Sequence, residues 1–377
     1  MYDAVVIGGG LLGVATAYHL VRGGVKTLLV DRGDPGRATD AGAGILSPET
    51  NSRDPDPWVQ FAIRAVAYYS TLLGHLEADD AGETGYAQCG LLVVAATDDE
   101  RGAFAAARAQ IFDRRERRGG PPQENLHEVS PSDARRMFPP LAAVQGAIFY
   151  RGGARVDGRL LSRAVRAAAE RHGLSVQQGS VDRLMLTNHR VNGVVIGGDT
   201  VSAKVVAITG GAWSNAFGAQ LGIRIPVAPQ RGQIIHLRNA QVSTADWPIV
   251  SAFHGHYMVP WPDSRVVVGA TRETGSGFDP RLTAAGVREV LDEALRVAPG
   301  LADWEIHEMR VGLRPLSADG QPVLGPVPGI ECVYIATGHG PIGLQLGPYS
   351  GKVTADLMLG RSSDIDLTPF GVARFAR

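Results

Sequence analysis

The chain holds only two cysteines, Cys89 and Cys332, far apart and outside any Cys-x-x-Cys pairing. That argues against a disulfide framework and against a structural zinc site, and both read as ordinary thiols of a reducing compartment. Excess charge of either sign is also lacking: 37 Lys and Arg stand against 38 Asp and Glu, for a formal net charge of -1. The arginines are scattered among acids and form no basic stripe, so nucleic acid is not an expected partner. No apolar run is long enough to cross a bilayer. The one at the N-terminus is broken by glycines and has no basic segment before it, so neither a signal peptide nor a transmembrane segment is expected, and the expected location is the cytoplasm. Fixed-period repeats, low-complexity tracts and flexible linkers are missing too. What remains is 377 residues at 44% hydrophobic content, enough for a substantial core in one large composite domain or two domains.

The first thirty residues carry the strongest local pattern. Residues 4–7 form an apolar run that ends in glycines, residues 11–20 have helical composition stopped by Gly23 and Gly24, and residues 26–30 form a second apolar run. This is a strand, turn, helix, strand unit of the length a βαβ crossover needs. Gly8, Gly10 and Gly13 make a Gly-x-Gly-x-x-Gly pattern between the predicted strand and helix. The first permits a tight turn, the second lets a pyrophosphate reach the backbone, and the third allows close packing of helix on strand, while the helix N-terminus attracts negative charge. Asp31 ends the second strand, close to the spacing at which a carboxylate takes a ribose hydroxyl. A dinucleotide is expected; the motif by itself does not choose between FAD and NAD. Further along, strands are expected at 91–95, 191–196, 201–208, 233–236 and 332–336. Helices are expected at 101–118, 158–171 and 348–359, the last after a glycine-rich turn. Gly338, Gly340 and Gly343 would let that loop lie against a flat ligand.

The chain resembles the D-amino-acid oxidase-like flavoprotein superfamily, in particular its glycine oxidase, D-amino-acid dehydrogenase and sarcosine oxidase relatives, and the resemblance spans almost its whole length. It is carried by the opening Val5-Val6-Ile7-Gly8-Gly9-Gly10 and the small-residue loop from Arg37 to Gly44. Gly90-Leu91-Leu92, Arg155-Val156-Asp157, residues 205–213 and Gln230-Arg231-Gly232-Gln233 are further landmarks. The most specific segments are residues 312–325 (GLRPLSADGQPVLG) and 336–340 (ATGHG). It implies an α/β fold in which a Rossmann-like FAD-binding domain (residues 1–52, 147–212 and 305–377) is interleaved with an α+β substrate domain (53–146 and 213–304) built on a large mixed sheet. Carried over residue by residue, the FAD contacts are Gly8, Gly10, Leu11, Leu12, Gly13, Asp31, Arg32, Thr39, Gly44 and Val181, with Gly338, His339, Gly340, Pro341, Ile342, Gly343 and Leu344. No cysteine lies near Arg314 or in the 37–44 loop, and that loop has no histidine, so the FAD is expected to be held non-covalently.

The resemblance also implies hydride transfer to the flavin from the carbon of a small amino acid, whether a D-amino acid, glycine-like or N-substituted. The resulting imine would hydrolyse to a carbonyl product. Arg314 is the implied clamp for the substrate carboxylate, a task that suits a planar guanidinium, with a structural pairing to Asp319 as the alternative. Tyr257 is implied to touch substrate, or else fills the core. His254, His256 and His339 are available, but none stands out as a general base. Where glycine oxidases carry a second arginine, after the Gly-His pair, this chain has Pro341. Arg310 either compensates by sharing a strand face with residues 312 and 314 or simply faces solvent or an acid such as Glu308. Oxygen, quinone or a partner protein remain open as electron acceptor. The other reading is an FAD-bearing subunit of a multi-subunit proline- or hydroxyproline-type dehydrogenase.

Overall fold

The computed structural model describes residues 1–51 and 56–375. The expected opening unit is present as β1 (Tyr2–Ile7), α1 (Leu11–Arg22) and β2 (Thr27–Asp31). β1 is buried from Ala4 to Ile7, the unbroken apolar run of a parallel strand covered on both faces. It pairs in parallel with β2 and, on its other side, with Asp199–Ile208, so that Ile7 stands opposite both Val30 and Ile208. Val333–Thr337 adds in parallel beyond Asp199–Ile208, and Ser175–Gln178 beyond β2. The carboxyl ends of these five strands share one edge, which is where open α/β sheets bind ligands. The hairpin Val181–Thr187 with Arg190–Ile196, and the antiparallel strand Val323–Pro326, complete an eight-stranded sheet.

A second, nine-stranded sheet is mixed: Leu91–Ala95 runs parallel to Ile249–Ala252 among otherwise antiparallel pairs. Its longest ladder joins Val227–Arg238 to Glu305–Ser317, from Val227 opposite Ser317 to Arg238 opposite Glu305. The fold is therefore the expected α/β class, a Rossmann-like half and a half built on a large mixed sheet. The Glu305–Ser317 strand belongs to the second sheet by pairing, yet its residues Gly312 to Pro315 face the cavity at the edge of the first. The expected division after residue 52 lies outside the described residues.

The helices Arg101–Arg118 and Gly158–Arg171 match the sequence reading. Asp157 caps the second, accepting from the Arg159 and Leu160 amides at 2.8 and 3.0 Å, an N-cap of the preferred residue type. The C-terminal helix corrects the expectation. It spans Gly343–Met358 rather than starting at Pro348, with Pro348 inside it. A proline there deprives the carbonyl four residues earlier of its donor, and that carbonyl, Leu344 O, instead accepts the buried Tyr69 hydroxyl at 2.5 Å. Tyr69 comes from Asp56–Ala78, a helix the sequence reading passes over although its buried Trp58, Phe61, Ala65, Tyr69, Leu72 and Leu76 follow the helical period. Helix Ala284–Val297 is likewise additional. The C-terminal helix packs so closely on α1 that a Cβ at Gly351 would lie 2.6 Å from the Ala15 side chain. Both helices thereby bring their N-termini to the same edge.

Candidate active site

At the carboxyl edge of the parallel strands lies a cavity of about 420 Å³, within the range of small-molecule and cofactor sites. Each parallel strand contributes residues at or just beyond its carboxyl end: Gly8 to Leu12 for β1, Asp31 and Arg32 for β2, Gly179 and Ser180 for Ser175–Gln178, Thr209 to Trp213 for Asp199–Ile208, and Ala336, Thr337, His339 and Gly340 for Val333–Thr337. Gly8 turns the chain at φ +109°, the region favouring glycine. Gly13 cannot carry a side chain at all, because its Cβ would fall 1.8 Å from the Gly8 carbonyl oxygen. Gly10 is different. Its backbone is ordinary (φ -68°) and its Cβ would meet only Thr39 Oγ1, at 3.4 Å, so the space beside it is open to a ligand.

No side chain from the Gly10 cap position closes α1, while Thr39 Oγ1 accepts the Leu11 amide at 3.0 Å. The helix terminus thus keeps amides and positive dipole facing the cavity. Gly343 and Leu344, opening the C-terminal helix, line it too. The Asp31 carboxylate accepts the Gly9 amide and, at 2.6 Å, the Gly33 amide; two oxygens with about four lone pairs leave it capacity for a sugar hydroxyl. These residues fit a dinucleotide: a glycine cradle, two helix N-termini and an acid at the strand end.

Most of the residues assigned to the cofactor by resemblance come together here. Gly8, Gly10, Leu11, Leu12, Asp31, Arg32, Thr39, Val181, His339, Gly340, Pro341, Gly343 and Leu344 line the cavity, while Gly13, Gly44, Gly338 and Ile342 are not among its lining residues. His339 is buried, with Nε2 2.8 Å from Ser350 Oγ, and burial holds its imidazole down at about 4. It is neutral and held against the C-terminal helix through Ser350. His254 and His256 do not line the cavity; they sit beside Glu293 instead. Cys89 and Cys332 are likewise away from it.

The far end of the cavity is made by the second sheet. Arg314, opposite Gln230 in the long ladder, points its guanidinium across Gly232, where a Cβ would lie 2.3 Å from Nη2. Nη1 donates to the Thr271 carbonyl at 2.8 Å. Among the described residues no carboxylate lies within ion-pair distance of Arg314, and Asp319, the alternative partner, is held by Arg374 at 2.7 Å. Burial lowers the pKa of this guanidinium, yet an arginine stays charged in proteins. Tyr257 lines the same end, its hydroxyl raised by burial and pulled back by Arg314 and Arg272. Arg310 does not compensate for Pro341: it pairs with Glu308 at 2.6 Å and is not among the lining residues.

Arg272, which the sequence reading did not single out, does line the cavity. Its segment Gly-Ala-Thr-Arg-Glu offered no distinguishing pattern. Because the Gly232 position is filled by the Arg314 side chain, Gly232→Ala is expected to dislodge that guanidinium. The variant should keep its cofactor and need about tenfold more carboxylate ligand for half-saturation, a decade being 1.4 kcal/mol. An unchanged titration midpoint would show that Arg314 does not work from this position.

The family model described as FAD dependent oxidoreductase (DAO) matches residues 3–357. The chain is 38% identical over 374 residues to the uncharacterized oxidoreductase YurR of Bacillus subtilis (strain 168), covering 99% of each. It is 33% identical to a glycine oxidase of Pseudomonas aeruginosa PAO1, covering 98% of each chain. Among solved structures, the iminodiacetate oxidase IdaA of Chelativorans sp. BNC1 is 39% identical and superposes with a TM-score of 0.93 over 98% of each chain.

Proposed function

Since the chain belongs to the DAO family of FAD-dependent oxidoreductases, we propose that it oxidises the C–N bond of a small amino acid, glycine-like, D-configured or N-substituted. The single observation that carries this reading is Arg314: a half-buried guanidinium without a carboxylate partner among the described residues, facing the same cavity as the glycine cradle. Leaving a partly buried charge unpaired is costly, so the site is built to receive an anion. A glycine oxidase and an iminodiacetate oxidase among the similar proteins support an amino-acid carboxylate as that anion.

FAD, held without a covalent bond along Gly8 to Leu12, Asp31, Arg32, Thr39, Val181 and the 338–344 loop, supplies the acceptor for a hydride when bound. Arg314 fixes one end of the substrate with two N–H donors, and Tyr257 offers a hydroxyl beside it. Positioning of the reacting carbon then outweighs side-chain acid-base work; the neutral His339 serves as a support, hydrogen-bonded to Ser350 rather than moving a proton. Water completes the reaction by splitting the imine product into a carbonyl compound and an amine. The domain division at 146/147, 212/213 and 304/305 belongs to the same proposal, with the Glu305–Ser317 strand shared between the halves. So does a cytoplasmic site of action; among the described residues no helix is long and apolar enough to cross a membrane.

The test is anaerobic mixing of the purified flavoprotein with D-amino acids including D-aspartate, glycine, sarcosine, iminodiacetate, proline and hydroxyproline. Loss of the oxidised flavin absorbance with at least one of them is the expected result. A flavin that none of them reduces would refute direct amino-acid oxidation and leave a relay subunit, or a different substrate class, in its place. Reoxidation by oxygen against a quinone then identifies the acceptor.

A further inference from the structure

Four arginines line the cavity: Arg32, Arg37, Arg272 and Arg314. The two at the nucleotide end have acids of their own, Asp34 at 2.7 Å from Arg32 and Asp40 at 3.0 Å from Arg37. The two at the substrate end have none among the described residues. Glu273, the carboxylate next to Arg272 in the chain, is fully engaged elsewhere: it accepts from Arg231 at 2.5 Å, Gln233 at 2.6 Å and Thr271 Oγ1 at 2.8 Å. Arg272 Nη1 donates to the Ala270 carbonyl at 3.4 Å.

Arg272 is also held in place. Its guanidinium lies against the backbone of Gly255, where a Cβ would approach Nη1 to 2.5 Å. Arg314 donates to the carbonyl of Thr271, the residue immediately before Arg272, so one short segment ties the two cations together at one end of one cavity. Arg314 is half-buried and Arg272 exposed, and two like charges without acids of their own at one end of a cavity favour an anionic ligand there.

We propose that the substrate is an amine bearing two carboxylates, one held by Arg314 and the second by Arg272. This rests on the C–N oxidation proposed above and narrows its substrate class. The second carboxylate belongs either to an N-carboxymethyl group or to an acidic side chain. In the first case, the two electrons of one C–H bond pass to FAD and water splits the resulting C=N bond. Iminodiacetate would thereby yield glyoxylate and glycine.

Binding can be measured apart from catalysis with ether analogues that cannot form an imine. Diglycolate carries two carboxylates and methoxyacetate one; calorimetric titration of the FAD-loaded protein is expected to show diglycolate bound about tenfold tighter or more. Arg272→Gln should abolish that difference and leave methoxyacetate unchanged, with Arg272→Lys recovering part of it. Equal affinities in the unaltered protein, or a difference that survives in Arg272→Gln, would overturn the second-carboxylate site, as would binding of neither compound. Anaerobic flavin reduction then separates the sources, iminodiacetate against sarcosine for the N-carboxymethyl case and D-aspartate against D-alanine for the side-chain case. Tight diglycolate binding with no flavin reduction by any of the four would uphold the dicarboxylate site and refute the oxidation reading; reduction by sarcosine alone, with no preference for diglycolate, would do the reverse.

Discussion

Gly10→Val is expected to give a folded protein that purifies without flavin. The other two glycines of the motif cannot make this test cleanly, because substitution there attacks the chain itself: Gly8 has φ +109°, and a Cβ on Gly13 would collide with the Gly8 carbonyl at 1.8 Å. At Gly10 the backbone angles suit any residue, and the one near neighbour of a new Cβ is Thr39 Oγ1 at 3.4 Å. A valine's two methyl groups would extend from there into the space that a pyrophosphate needs at the N-terminus of α1. Circular dichroism should report an unchanged fold while the flavin-to-protein absorbance ratio falls to near zero. Full flavin content in a folded Gly10→Val protein would show that the cofactor lies elsewhere along the edge.

Arg314→Leu addresses the other end of the cavity and should leave the flavin in place. The replacement removes a half-buried charge together with its hydrogen bond to the Thr271 carbonyl, and the shorter apolar side chain brings in no new charge or polar group that needs a partner. A charge-assisted contact to a carboxylate is worth about 1.5–3 kcal/mol. The amino-acid concentration that half-reduces the flavin should therefore rise by about tenfold to a hundredfold. Because the Arg314 side chain also fills the space over Gly232, Arg314→Leu and Gly232→Ala should be strongly non-additive, the double variant being little worse than the first alone. Additive losses would mean that Gly232 acts through something other than the position of Arg314.

Where a structural property arises from neighbours in the chain, the sequence carried it. The strand, glycine turn and helix at residues 2–22 depend on local conformational preference and on apolar runs, and both survive in a linear reading. Asp31 was legible for the same reason, since its distance along the chain from the glycines is set by the length of one βαβ unit. The C-terminal glycine loop was legible as a loop. Its helix was misjudged at Pro348, because the hydroxyl that satisfies the freed Leu344 carbonyl comes from Tyr69, 275 residues away.

The substrate end could not be read in this way. Arg314 stood out only through resemblance, and nothing in Arg310 or Arg272 as residues distinguishes a charge paired with an acid from one facing a cavity. Their fates were decided by pairing between distant strands. The ladder from Val227 to Arg238 sets Arg314 over Gly232 and against Thr271, while Arg310 further along the same strand meets Glu308. Sequence alone determined that this chain has a dinucleotide fold with a glycine cradle, because those are local backbone properties. Which arginines are left without a counter-ion was decided only by the tertiary structure, because charge compensation depends on which side chains meet in space.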